Sequence, residues 1–453
     1  MLIVAAWVGW APGLCAQGTL TTIFTNGPTS NRINIVVLSE GYQASELVTK
    51  FLGKATNAVN NLLSEAPYQA YASYFNAYAI SVASAESGSD HPFSGEYKNT
   101  YFNSTYDPAN GTLITIPPNF ADPNSGNGQG KVDMLLANLM PEYDLAILLV
   151  NDLNYGGSGG ITLISSINVA LPEFIRHESG HTFAGLGDEY ETSCAAPPAE
   201  YPNVTAQTNR ALIKWRSWIL ESTPIPTAET IDYAQVVGLF QGAQCQASAW
   251  YRPKYDCKMR TLSRGFCEVC SEQIVKSMYQ QVRPIESFVP ASTNVTVTTT
   301  QAVAFSVTTL QPANDLSVQW YTNGVAATGA TNPNYNLFPK WFTNGIHSVR
   351  AEVRDATALV RNDPTNLLSQ FVAWTLNVSV SELSLISPQW LAGGRFSFSV
   401  TGIAPQGFVI QASTNLSYWT ALTTTNSLTG GIFHYTNTGA TNFPRRFYRT
   451  LAP

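Results

Sequence analysis

The sequence predicts a three-layer α/β domain with a mixed sheet, followed by two all-β sandwich modules. Three observations carry that reading. Helical periodicity and continuous apolar runs alternate as far as about residue 285. Beyond that point the helical signal ends, and short Thr-rich, β-branched runs separated by turn signals take over. The 453 residues, at roughly 150 per domain, leave room for about three domains.

The elements follow in order. The N-terminus, MLIVAAWVGWAPGLCAQG, is apolar from Leu2 to Leu14 and uncharged. That run is too short for a membrane span and fits an export signal over residues 1–16, ending at Ala16, although it lacks the usual positive start. No other apolar run is long enough to span a bilayer. The α/β domain is placed at 17–285. Leu47, Phe51, Ala55 and Val59 recur at i+4 within Ser45–Leu63, which predicts a helix with one apolar face. Asn34–Leu38 and Asp144–Val150 carry continuous apolar runs, IVVL and LAILLV, bounded by turn residues, as strands covered on both faces do; Asp144 is placed to orient a strand end. An immunoglobulin-like sandwich is expected over 286–380, with Trp320 in its core and turns at Thr322–Gly324 and Thr343–Gly345. A second sandwich is expected over 381–453, from Phe396–Val400, Phe408–Gln411, Ser413–Thr420 and Phe443–Arg449.

Composition narrows the function. There are 24 Lys+Arg against 30 Asp+Glu, a net charge of −6, and no basic cluster, so nothing marks a nucleic-acid partner. Of six cysteines, Cys15 leaves with the signal. Cys194, Cys245, Cys257, Cys267 and Cys270 remain, an odd number. Cys267 and Cys270 have the spacing of a zinc knuckle, but a knuckle needs a second pair. Structural disulfides pinning the segment after Cys245 are the expectation for an exported chain.

The segment Pro172–Glu191, PEFIRHESGHTFAGLGDEYE, carries the chemistry. Pro172 suits a helix first turn. His177 and His181 are four residues apart, hence about 40° apart on one helix face, and two such imidazoles can hold one Zn²⁺. Glu178 projects beside them and can take a proton from water and pass it to a leaving amine. This is an H-E-x-x-H arrangement. Gly185 can end the helix, and Asp188 follows as a third ligand. With five histidines in the chain, none falls between His181 and His347, so the third ligand is expected to be a carboxylate. Glu189 competes with Asp188; Glu200 and Glu221 are weaker alternatives.

HESGHTFAGLGDEY resembles the IgA-peptidase-type zinc metallopeptidases, a metzincin-like group. NIVVLSEGYQASE is similar to their opening strand and turn, and YFNAYAISVAS to their second strand region. VNDLNYGGSGG is similar to their tyrosine–glycine loop. YRPKYDCKMRTLSRGFCEVC is similar to their methionine turn and C-terminal cysteines. The resemblance covers about residues 30–285 and leaves out the β modules. It implies an α+β zincin-type catalytic fold, one Zn²⁺ on His177, His181 and Asp188, Glu178 as catalytic base, and Met259 beneath the metal. One departure bears on Asp188: it stands one residue later than the general metzincin ligand.

Tyr190 and Tyr251 are candidates to stabilise an oxyanion. Tyr155, Gly156, Gly157, Gly159 and Gly160 precede the zinc helix, where an edge strand would pair with extended substrate. His91 is placed as a solvated loop residue, and Arg445 and Arg446 as surface charge. The expectation is a secreted, cell-surface or periplasmic zinc metalloendopeptidase acting on protein or peptide, with β modules that bind cell-surface protein or glycan. Competing readings are a catalytically inactive scaffold used for adhesion and a zinc amidase acting on cell-wall peptides.

Overall fold

The computed structural model describes residues 18–109, 111–117, 128–192, 197–299, 302–339, 342–343, 345–379, 383–401, 407–425 and 432–451. The export-signal segment and Cys194 lie outside the described residues. The chain is mixed α/β and forms two compact units. One takes in the residues up to Pro284 together with Leu310–Leu316 and Asp355–Ser369. The other takes in Ile285–Thr309, Ser317–Arg354 and the residues from Gln370 onward.

The first unit is built on a six-stranded mixed sheet. Its strands are β1 (Thr19–Phe24), β2 (Ile33–Glu40), β3 (Phe75–Ser81), β4 (Leu145–Val150), β5 (Gly157–Ser158) and β6 (Leu163–Ser166). Their order is β1-β3-β2-β4-β6-β5. The four inner strands run parallel, and β1 and β5 close the two edges antiparallel. Helices α1 (Leu52–Leu63), α2 (Gly128–Leu139), α3 (Leu171–Thr182) and α4 (Glu268–Gln281) cover the faces.

Strand β2 shows why an unbroken apolar run was needed. Ile33, Ile35 and Val37 pack with Val59 of α1, Ile175 of α3 and Met278 of α4. Val36 and Leu38 point the other way, onto Val132 and Leu136 of α2. Successive side chains alternate faces, so the central run Ile35–Leu38, covered on both sides, is apolar, while the buried polar residues at the strand ends, Asn34, Ser39 and Glu40, are each hydrogen-bonded. Asp144 does tie strand ends: its Oδ2 accepts the Asn34 amide at 2.7 Å.

The returning segments join this unit through a buried carboxylate. Asp355 is 2 % exposed. Its Oδ2 accepts the hydroxyls of Tyr71 and Tyr279, at 2.7 and 2.8 Å, and its Oδ1 accepts from Asn314 Nδ2 at 2.6 Å. Leu310 and Leu368 belong to the same apolar core.

The second unit is all β. In its first part, one sheet holds Ile285–Val289, Val303–Thr309 and Asn334–Leu337, and another holds Asn294–Thr298, Ser369–Ser379, Gly345–Arg354, Ser317–Thr322 and Val325–Ala326. Trp320 is fully buried and stacks on Trp374 with ring centroids 5.8 Å apart. Phe305, from the other sheet, meets Trp374 edge-on at 5.0 Å, so aromatic rings join the two layers. Asn323 and Gly324 take φ of 50° and 80° and close a two-residue hairpin, which is why the sequence has Asn-Gly there. In the C-terminal part, Phe398 and Val400 of one three-stranded sheet pack on Phe408 and Ile410 of another. Among the described residues no helix is long and apolar enough to cross a membrane.

Candidate metal centre

Helix α3 sets the site. Pro172 lies in its first turn, and Leu171, Phe174 and Ile175 bury its inner face. The helix ends where Gly185, at φ 60°, donates its amide to His181 O at 3.0 Å. Only glycine takes that conformation without strain, and it sends the chain back past the helix end. Asn203 fixes the returning segment: its Oδ1 accepts Gly187 N, and its Nδ2 donates to Gly187 O and Glu189 Oε1, each at 2.8 Å. Sequence reading gave no signal for Asn203, because a lone Asn 16 residues from its partner follows no periodic pattern.

Three acceptor atoms converge beyond the helix. His177 Nε2 and His181 Nε2 are 3.2 Å apart. Asp188 Oδ1 lies 3.4 Å from the first and 3.1 Å from the second. The other ring nitrogens face backbone carbonyls: His177 Nδ1 meets Lys258 O at 3.0 Å, and His181 Nδ1 meets Leu186 O at 2.7 Å. Those contacts assign the proton to Nδ1 and leave each Nε2 as a lone pair. Two lone pairs and a carboxylate oxygen then face one another with no donor between them. Donors about 2.0–2.1 Å from a tetrahedral zinc ion stand roughly 3.3 Å apart, which matches all three separations. The residues therefore fit a zinc ion.

Electrostatics agree. Burial alone would lower His181, but the Asp188 carboxylate outweighs it and raises His181 to about 9. Burial would raise Asp188, yet its contacts with His177 and His181 prevail and hold it well below the ordinary carboxylate range. Without a cation, a proton fills the gap.

Glu178 lies in the same cleft, of about 460 Å³, with Tyr190 and the Gly157–Gly160 stretch along its wall. Burial raises its carboxyl above the usual range, and the two histidines pull it partly back. A Cβ on Gly159 would stand 2.7 Å from Glu178 Oε2 and 3.0 Å from His181 Cβ, so the loop passes this close only because it is glycine. Gly159→Ala is expected to push the Glu178 carboxyl aside. A displacement near 1 Å costs on the order of 10²-fold in kcat/KM, with zinc content unchanged. Steady-state kinetics beside metal analysis would show it, and an undiminished rate would refute the packing argument.

The structure separates the remaining candidates. Tyr190 hydrogen-bonds Asp188, and burial first, then that carboxylate, raises its phenol. Tyr251 pairs with Thr205 through backbone and does not line the cleft. Tyr155 packs edge-on against Phe174 with centroids 4.4 Å apart. Strand β5 is the sheet's last strand, but Gly157 N donates to Thr112 O at 3.3 Å, so the outer side of that edge is already engaged there. Met259 is fully buried, its Sδ 2.6 Å from where a Cβ on Gly180 would stand, directly behind α3. Glu200 binds Lys214 and Thr205. Glu221 lines a different depression, with Arg210 and Arg216. His91, taken as a solvated residue, is instead paired with Asp152 at 2.8 Å and stacked on Tyr106.

Cys245 is disulfide-bonded, as expected, but three of the cysteines depart from the disulfide expectation. Cys257, Cys267 and Cys270 are buried free thiols. They gather in one place with Glu189, which turns away from the histidines.

With this geometry in view, the comparisons identify the class. The family model described as IgA Peptidase M64 matches residues 21–232 and 228–278, together more than half of the chain. The chain belongs to that family of metallopeptidases. No curated protein matches it. A solved chain from a chaperone–tip adhesin complex of CFA/I fimbriae biogenesis is similar over 36% of this chain and 92% of its own, at 10% identity and a TM-score of 0.16. A likeness that slight carries no argument.

Proposed function

We propose that the chain is an exported zinc metalloendopeptidase with a zincin-type catalytic unit. The convergence of His177 Nε2, His181 Nε2 and Asp188 Oδ1 on one point, with Glu178 beside them, carries this reading. Bound Zn²⁺ supplies the Lewis acidity that activates water and polarises a peptide carbonyl. Glu178 takes the proton from the attacking water and returns it to the leaving amine. Its raised affinity for a proton suits both tasks. The Tyr190 hydroxyl, held at Asp188, faces the cleft where it can donate to the developing oxyanion. Met259 backs the helix without ligating. Extended substrate runs along the glycine wall at Gly159 and Gly160. The β modules hold the enzyme on cell-surface protein or glycan.

The test is cleavage of a reduced, unfolded protein by the purified chain. Expected are zinc in the wild type, loss of cleavage with a chelator, and recovery with added Zn²⁺. Cleavage untouched by metal removal would end the proposal.

A pH dependence follows from His181. Zinc replaces the proton that His181 holds up to about pH 9 in the metal-free chain. The apparent Kd for Zn²⁺ is therefore expected to fall about tenfold per pH unit between the free-histidine value near 6.5 and about 9, then level off. The metal-free chain runs the other way. A raised folded-state pKa contributes stability that is complete below about 6.5 and lost as pH rises through about 9. Competitive zinc titrations and metal-free melting curves across that window would check both. A flat zinc affinity would refute the linkage.

A further inference from the structure

We propose that this chain holds a second, structural zinc ion on Cys257, Cys267, Cys270 and Glu189. The four ligand atoms lie within 4.8 Å of one another, and all four residues are buried. Cys257 Sγ and Cys270 Sγ are 3.7 Å apart, far beyond a disulfide bond of about 2.05 Å. Sulfurs about 2.3 Å from a tetrahedral zinc stand roughly 3.8 Å apart. Glu189 Oε1 is 3.2 Å from Cys270 Sγ, near the roughly 3.5 Å expected between oxygen and sulfur ligands of one zinc ion.

The surroundings are those of a thiolate site. The Cys267 amide donates to Cys257 Sγ at 3.2 Å. The Met259 amide also bonds Cys257, and the Cys270 amide bonds Cys267. Cys267 caps the N-terminus of α4, whose dipole favours a thiolate there. Glu189 is fully buried, and its Oε2 has no hydrogen-bond partner. A buried carboxylate oxygen left without a donor is costly, and a cation removes the cost. The two-plus-two pattern that a knuckle needs is met from elsewhere: Cys257 and Glu189 stand in for the second CxxC.

This placement gives the ion a task. Glu189 follows Asp188 directly, and Cys257 precedes Met259 by two residues. Between them, Lys258 O accepts a hydrogen bond from His177 Nδ1 at 3.0 Å, and Glu189 N donates to Met259 O at 2.9 Å. One ion at the cysteines thus ties together the two backbone segments that position Asp188 and His177. The inference needs only the cysteine cluster and stands apart from the proposed activity.

Zinc counting separates the two sites. Wild-type chain should carry two zinc ions, and His177→Ala/His181→Ala should keep one. One ion in the wild type and one in the double variant would uphold the cysteine site while refuting the histidine site. One ion in the wild type and none in a folded double variant would overturn the inference. Cys267→Ser/Cys270→Ser should lose one ion. Should that variant fail to fold, the His double variant still decides. Loaded with Co²⁺, it should show thiolate-to-cobalt charge transfer, and its zinc X-ray absorption should show sulfur at about 2.3 Å. Nitrogen and oxygen ligands alone, iron in place of zinc, or a disulfide among the three cysteines would each overturn it.

Discussion

Glu178→Gln is expected to retain fold and zinc and to lower kcat/KM on an unfolded protein by about 10²–10⁴-fold, the range that a positioned general base supplies. The substitution is nearly isosteric, so Gly159 can still pass against the side chain. The amide cannot accept and return a proton, whereas burial holds the carboxyl above its usual range against the downward pull of the two histidines. Metal analysis of both proteins removes zinc loss as an explanation. A rate within a few-fold of wild type, with zinc retained, would show that the cleft does not use Glu178 as its base.

The legible part of this site was the part written in one element. His177, Glu178 and His181 share α3, so helical spacing alone placed them together. Gly185 was legible for the same reason, as a helix end with a turn beyond. The choice between Asp188 and Glu189 was not legible from spacing. The segment after Gly187 belongs to no helix or strand, so no period tells which neighbouring side chain faces the histidines. Which side faces the histidines depends on Asn203 and on the Glu189 amide bonding Met259 O. The cysteine cluster was hidden for a related reason. Cys257, Cys267 and Cys270 lie within 14 residues, but their fourth partner is 68 residues before the first of them. Strands β2 and β4 were readable because burial on both faces keeps their central runs, Ile35–Leu38 and Leu145–Val150, free of polar residues. Nothing comparable marked Leu310–Leu316 and Asp355–Ser369, short segments whose place in the first unit depends on a partner far away in sequence.

Those segments lead to the second large effect. A chain cut after Pro284 keeps every residue of both metal clusters but loses Asp355, Leu310 and Leu368. Tyr71 is fully buried and Tyr279 is 4 % exposed, and each loses the charged acceptor of its hydroxyl. A hydrogen bond to a charged group contributes about 1.5–3 kcal/mol, and burying a leucine contributes a similar amount. Four such losses approach the whole stability of an ordinary domain, about 5–15 kcal/mol. The truncated chain is therefore expected to lack a cooperative melt. In the full chain, Asp355→Ala should lower Tm by roughly 5–15 °C, and Asp355→Asn, which keeps an acceptor but not the charge, by less. Calorimetry of the three proteins orders them. A truncated chain melting cooperatively at the full-length temperature would show that the returning segments do not stabilise the catalytic unit. Asp355→Ala melting with the wild type would show that the buried carboxylate is not what holds them there.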